Sequence, residues 1–456
     1  MNTGTSEVGR RKAEVAESMR SAVDHAVDEL KKREATGEVS GGYREDWKAE
    51  IRLGQVETVQ GSTTRGLRIT AYGDSKRSGT TSISEIDIAA VHAAAAKAVE
   101  LSRYGDPDQW AGLPPRGECG VAGGDLDLDD PGYAKLDREA LLRQVIEAEK
   151  IALASDPRIT NAHRSSVHAG RSEHWYASTD GVFVHRTGTT AGYSVVVVAQ
   201  DAGGERQSGG YGTYARRVSA LKDAGTVGRE AGTRAVRHFG WKPAPTGRFP
   251  VLYDQDVASE LLGGLASAVA GSAIYRGSSY LAGRLGDAVA SPVVTVSDDP
   301  LIPGALGSRP CDGEGVRARR LTLIDAGRLA TYLVGGYAAR RLAHPYTGHD
   351  GGCSNLRLAP GKATRADLLR ELGTGLLAQE LHGFGVDLAS GTYSKGVSGF
   401  WIENGAIAHP VQEATIAGNL MELWQGIRLV GDDPLDESAI SSPSLLIDGF
   451  TIAGKS

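Results

Sequence analysis

Glycine, more than any apolar residue, limits what this chain can become. There are 61 glycines among 456 residues, many in pairs such as Gly209-Gly210 and Gly335-Gly336 set beside β-branched runs. A glycine inside a helix costs ~1 kcal/mol relative to alanine, whereas a tight turn accepts it without penalty. The spacing therefore predicts many short strands joined by turns rather than a helical bundle. A chain of this length also exceeds what one hydrophobic core serves, so two or three domains are expected.

Residues 10–35 carry Val15, Met19, Val23, Val27 and Leu30 at helical spacing among charges, an amphipathic helix that needs a sheet to lie on. Alternating strands follow at 47–52, 55–63 and 65–72, broken by Gly54 and Gly66, and then an alanine-rich helix at 86–104. A Pro- and Gly-rich connector at 106–124 ends the first unit. The second opens with a helix at 136–154 and continues as strands at 159–168, 173–178, 182–186 and 192–200, with a hairpin loop at 178–181. A charged helix at 215–238 completes it, and 241–250 reads as a linker. Beyond it come a strand, a helix from Asp254 or Asp256, a strand ending in Asp298-Asp299-Pro300, a long Gly/Pro loop at 301–320, a hairpin turning at 325–327, a helix at 366–381 and more strands to residue 453. The expected class is α+β and multi-domain. Two N-terminal α/β units with antiparallel sheets, 10–105 and 125–240, precede a strand-rich C-terminal domain at 248–456.

A net charge of −6 argues against a nucleic-acid surface as the main function. No apolar run approaches the ~20 residues that span a bilayer, and Arg10-Arg11-Lys12 is followed by no apolar core of a secretory signal. Cys119, Cys311 and Cys353 form no CxxC pair, which suits a reducing compartment, so a cytoplasmic location is expected.

Common catalytic signatures are missing: no GxSxG elbow, no GxxxxGK[ST] loop, no HExxH helix. His92 has no second ligand at i+4, and His163, His168, His174 and His185 alternate as strand residues do, without the spacing of a ligand couple. His344, His349 and Cys353, with Asp350 beside them, form the remaining local group that could hold zinc, on an unorthodox loop spacing. The stretch 254–286 reads as a helix with one buried stripe, Val257, Leu261, Leu262, Leu265 and Val269. Gly263, Gly264 and Gly271 weaken it, so something approaches its backbone closely or it bends.

Four runs in the final third, DDP at 298–300, DGEGV at 312–316, SGTYSKGVSGFWIENGAIAHPVQEATIAGN at 390–419 and DGFTIAG at 448–454, together with GLRITAYGD at 66–74, resemble the TldD/PmbA family. The resemblance runs in order from about residue 20 onward, and the block at 390–419 is its most specific part. It implies a peptidase system of two related subunits. In the zinc-bearing TldD-like subunit a helix carries H-E-x-x-x-H and a cysteine near the C-terminus completes the site. Set in register by the YRGSSYLAGRLG segment that follows, the helix here has Leu262, Gly263 and Ser267 where His, Glu and His would stand, and 429–442 lacks a cysteine. The match is therefore to the PmbA or TldE-like branch, with no catalytic residues and no metal in this subunit, and zinc expected in the partner.

The resulting expectation is a metal-free, catalytically inactive member of a bacterial heterodimer that hydrolyses peptide or amide bonds in unfolded peptides or peptide-like small molecules, natural-product processing included. Asp312, Glu314, Glu403 and Asn404 are the residues expected to face a substrate chamber, although Glu403-Asn404-Gly405 reads equally as a hairpin turn. Two rivals remain: a stand-alone hydrolase using His344, His349 and Cys353, and a peptide-binding homodimer without catalysis.

Overall fold

The computed structural model describes residues 4–435 and 437–454, with side chains from residue 14 onward apart from Ser75 and Asp436. The N-terminal half runs α1 (Gly4–Lys32), β1 (Thr36–Arg52), β2 (Gln55–Tyr72), β3 (Ser78–Ile83), α2 (Ile88–Leu101), α3 (Arg138–Ala154), β4 (Ile159–Ser178), β5 (Phe183–Gln200), β6 (Arg206–Ala215) and α4 (Ala224–Val236). Its six strands form one antiparallel sheet ordered β3-β2-β1-β4-β5-β6. β1 pairs with β4 from Glu38↔Ser178 to Ile51↔Ser165, so the segments expected as 10–105 and 125–240 contribute to the same sheet.

Odd-numbered residues of β1 and β4 face the helices. Val39 and Trp175 pack under α1 and α2 with Met19, Val23, Leu30, Val91 and Ala95. Trp47, Ala49, Val167 and Ala169 pack under α3 and α4 with Leu141, Val145, Val227 and Ala231. The long strands thus carry two helix pairs on one face, and the opposite face is left for the C-terminal half.

Several expected breaks do not occur. Gly66 stays within β2, because Ile83 O lies 2.8 Å from where a Cβ would sit; the glycine marks a close approach, not a strand end. The expected strand pairs 159–168/173–178 and 182–186/192–200 are the continuous β4 and β5. The helix expected over 215–238 covers only 224–236, capped by Asp223 accepting Thr226 N–H at 2.9 Å, while 206–215 is strand. Gly209 explains why this edge strand reads poorly: a Cβ there would lie 2.1 Å from Ala235 N of α4, so the strand carries glycine where it touches the helix.

The C-terminal half runs β7 (Gly247–Tyr253), α5 (Gln255–Ala268), α6 (Gly271–Tyr275), β8 (Val296–Asp298), β9 (Leu321–Asp325), β10 (Arg328–Leu329), α7 (Gly336–Leu342), β11 (Leu356–Leu358), α8 (Arg365–Leu372), β12 (Gly375–His382), β13 (Val386–Asp387), β14 (Thr392–Glu403), β15 (Ala406–Asn419), α9 (Leu420–Gln425), β16 (Ile427–Val430), β17 (Ile440–Ser441) and β18 (Leu445–Ala453). The path β12-β7-β18-β15-β14 closes on itself through β12–β14 pairing, a ring of five strands filled by Tyr253, Leu376, Trp401, Val411 and Phe450. A smaller sheet ordered β10-β9-β8-β11-β17 packs α5 against the ring. The helix expected over 366–381 ends at Leu372, where Gly373 takes φ +64°, and Leu376 and Leu377 then enter the ring parallel to β7. The hairpin expected at 325–327 is present as β9 and β10, with positive φ at Ala326 and Gly327.

Candidate functional site

Asp254 caps α5, one of the two caps expected, its Oδ1 accepting Gln255 N–H at 3.1 Å and Arg365 at 3.2 Å while Gln379 donates to Oδ2 at 2.9 Å. Val257, Leu261, Leu262 and Leu265 are buried, so the apolar stripe is the core face. Leu262 is completely enclosed and offers no lone pair. Gly263 has Ile440 Cδ1 3.6 Å from its Cβ position, and Gly264 has nothing within 4 Å. Ser267 is exposed, and its hydroxyl donates back to Gly263 O at 3.2 Å. The donor set of a zinc site, imidazole nitrogens or thiolates with a nearby carboxylate, does not fit these three positions. What the helix presents instead is a small-residue face beside solvent.

Past α5 the chain turns into α6, whose Gly271 lies 2.6 Å by its Cβ position from Ala338 Cβ of α7. Between these helices and the 349–352 loop lies a cavity of about 290 Å³, bounded by Ser272, Tyr275, Tyr337, Asp350 and Gly335. The long Gly/Pro loop supplies what stands behind Asp350. Asp312 is 2% exposed, and its carboxylate accepts N–H from Glu314 at 3.0 Å, Val316 at 2.9 Å and Asp350 at 3.0 Å. Those bonds fold DGEGV into a turn around Asp312, so that residue shapes the loop. Glu314 is aimed by the turn at Gly336 N–H, which donates to its carboxylate. On the facing sheet, Glu38 accepts from Tyr176 OH at 2.8 Å and Tyr72 OH at 3.0 Å.

Burial, then the charge of Asp350, pushes the Glu314 carboxyl up to about 8. Glu38, Asp312 and Asp350 are also raised, each chiefly by burial. A carboxyl titrating near neutrality can hold a proton or release it, which is the property required of a group that hands protons to a ligand. Glu314 was legible from its loop. Glu38, Tyr72 and Tyr176 were not, because nothing in a strand's alternation says which loop will cover it.

The other expected residues separate. His349 is buried, with Nε2 2.9 Å from Asp298 Oδ2 and Nδ1 2.8 Å from Thr347 O. The same Asp298 accepts Ser354 N–H at 2.8 Å, so the DDP run ties β8 to the 347–355 loop. His344 meets Thr331 and Pro345 O, and burial raises the Cys353 thiol. His344, His349 and Cys353 therefore do not converge, and no three His, Cys, Asp or Glu side chains among the described residues form a metal-holding group. The thiols of Cys119 and Cys311 are pushed by burial up to about 11, which keeps them protonated and unreactive. Glu403, Asn404 and Gly405 form the β14–β15 turn, with φ +52° at Asn404 and +76° at Gly405, and Gly405 N–H donates to Gly373 O at 2.8 Å. That turn packs against the end of α8, apart from the Asp312 loop's partners.

Residues 246–454 match the PmbA/TldA metallopeptidase C-terminal domain, residues 132–239 its central domain and residues 37–102 its domain 1. The protein named Metalloprotease PmbA from Escherichia coli O157:H7 is 33% identical over 443 residues, covering 96% of this chain and 98% of that one. A Metalloprotease PmbA homolog from Haemophilus influenzae is 31% identical over 439 residues, 96% of each chain. A Bacteroides thetaiotaomicron crystal structure, described as a candidate modulator of DNA gyrase, superposes with a TM-score of 0.89 at 26% identity, covering 97% of this chain and 99% of that one. TldE from Thermococcus kodakarensis shares the fold, with a TM-score of 0.82 at 20% identity over 96% of this chain and all of that one.

Proposed function

The chain belongs to the PmbA/TldA metallopeptidase family, and from that premise we propose that it is the metal-free subunit of a heterodimeric peptidase whose zinc is held by a TldD-like partner. The observation that carries this reading is α5. Its enclosed Leu262, its bare Gly263 and a Ser267 hydroxyl turned back on the helix occupy the stretch where the resemblance puts the zinc ligands and the general base. No step of hydrolysis runs through these residues. The subunit's part is architectural: it walls a chamber that admits unfolded peptides or peptide-like molecules, in the cytoplasm, and supports the active partner. Asp350, which lines the α6–α7 cavity, is the polar group offered to that chamber, with Glu314 on the loop behind it.

A surface suited to a partner is present. Residues 55–65 of β2 are exposed, and β3 pairs only with Leu67–Tyr72, which leaves the outer backbone edge of that arm unpaired among the described residues. Exposed edges of this kind invite another chain. No helix among the described residues is long and apolar enough to cross a membrane.

The direct test is zinc content and peptidase activity of this chain purified alone and after co-expression with a TldD-like subunit. Zinc and activity only in the complex, abolished by removing the partner's zinc histidines, is the expected result; tightly bound zinc and cleavage by the isolated chain would end the proposal. A second test uses the open face of α5. At Gly264 an added Cβ meets nothing within 4 Å, and Gly264→Leu gains about 1 kcal/mol of helix propensity. The isolated variant is expected to melt no lower than wild type, while the co-expressed complex assembles poorly or loses most of its activity. Full activity in that variant would show that this face of α5 lines no shared chamber.

A further inference from the structure

The sheet face opposite the helices carries a second cavity, of about 490 Å³, that the peptidase reading does not use. Two cross-strand rungs make its floor. One is Gly66, Gly42, His174 and Arg186; the next is Thr64, Arg44, Ser172 and Gly188. Of the three glycines in these rungs, Gly42 opens the hollow, since a Cβ there would meet nothing within 4 Å; at Gly66 Ile83 O, and at Gly188 the Arg216 guanidinium, already stand where the side chain would be. The far wall is Arg216, just beyond β6, with Ser308 and Arg309 of the long loop, and Arg44 and Arg65 stand at the exposed rim.

The charge here is unbalanced. Arg216 spends its guanidinium on carbonyls alone, Ala305 O at 3.3 Å, Thr189 O at 3.4 Å, Leu306 O and Ser308 O. Arg309 donates to Gly352 O, and its Nε is buried without a partner. The Arg186 guanidinium makes no hydrogen bond and no ion pair among the described residues. The nearby carboxylates are committed elsewhere: Glu173 to Arg171 at 2.8 Å and His185 at 3.1 Å, Asp46 to Arg44, and Asp312 to three backbone N–H groups. Burial lowers Arg186, with Arg309 adding to the effect, and burial lowers Arg216, with Arg186 adding to it. His174 is held neutral, its pKa lowered by burial and by Arg186 to about 4.

Three guanidiniums gathered in one partly desolvated hollow repel one another, and none forms an ion pair among the described residues, although the charge of Asp350 reaches Arg309 and that of Asp312 reaches Arg186. A planar fork of donors matches the oxygens of a carboxylate or phosphate, and a concave wall of one sign concentrates the opposite ion. We propose that this cavity binds a small, multiply charged oxyanion ligand, through Arg186, Arg216 and Arg309. The geometry defines an oxyanion; whether carboxylates or phosphates supply it is decided by the probe. Nothing in this proposal depends on zinc or on a partner subunit, so it stands or falls separately from the peptidase reading.

The test is thermal melting and titration calorimetry of the full chain alone, with citrate, with pyrophosphate, and with sodium chloride matched in ionic strength. Saturable stabilisation by citrate over chloride assigns carboxylates, and by pyrophosphate, phosphates. Arg186→Gln is expected to weaken the effective probe about tenfold or more while leaving the ligand-free melting temperature unchanged or higher, since it removes an unpaired charge. Gly42→Leu, whose side chain enters open space, is expected to abolish binding without unfolding the sheet. Equal shifts with citrate, pyrophosphate and chloride, or binding undiminished in both variants, would overturn the proposal.

Discussion

Replacing His349 by alanine is expected to lower the unfolding free energy by about 3–5 kcal/mol, because it strands the Asp298 carboxylate in the core without its partner. Both side chains are fully enclosed and meet at 2.9 Å. Asp298 keeps only the Ser354 N–H, and β8 loses its link to the 347–355 loop. Urea unfolding of the isolated chain measures the loss. Adding Asp298→Asn, which removes the stranded charge but keeps an acceptor for Ser354, is expected to return part of it. A loss below about 1 kcal/mol, no larger than an ordinary point substitution, would mean that water reaches Asp298 and that the pair is not a structural tie. Zinc in the co-expressed complex is expected to be unchanged in His349→Ala, which separates this structural role from a ligand's.

The second large effect concerns Glu314. Its folded pKa of about 8 lies above the ordinary 4.5, so the fold prefers the protonated acid. The stability that this proton supports is complete below about pH 4.5 and falls as pH rises through 8, where the folded chain must accept a buried anion beside Asp350. Glu314→Gln keeps an oxygen for Gly336 N–H and never ionises. The variant is expected to lose far less stability between pH 5 and pH 9 and to exceed wild type by roughly 3 kcal/mol at the alkaline end. Urea midpoints at pH 5, 7 and 9 decide it, and parallel curves for the two proteins would show that Glu314 titrates as an ordinary surface carboxyl.

How much of this was legible beforehand depends on the range over which each force acts. Helix positions 136–154, the capped start of α5 and the 325–327 hairpin follow from capping, periodicity and positive-φ residues, all of which act within a few positions. The family motifs and the identities of Leu262, Gly263 and Ser267 are likewise properties of the linear chain. Strand interruptions were misjudged at Gly66 and between 168 and 173, since a glycine that ends a strand and one that admits a neighbouring backbone look alike in one dimension. The 366–381 helix instead stops at Gly373, which takes φ +64° with nothing near its Cβ position: there the glycine ends the element rather than admitting a neighbour.

By itself, then, the amino-acid order determined the α+β class, the family, and the absence of histidine and cysteine along α5. Tertiary structure alone decided that β12 closes the ring on β14, that Glu38 with its two tyrosines faces the Asp312 loop, and that Arg186, Arg216 and Arg309 share one hollow. Burial and Coulomb interactions depend on which strands and loops are brought together across the fold. No local pattern encodes that, so the charges that perturb one another are found only once the chain has closed around them.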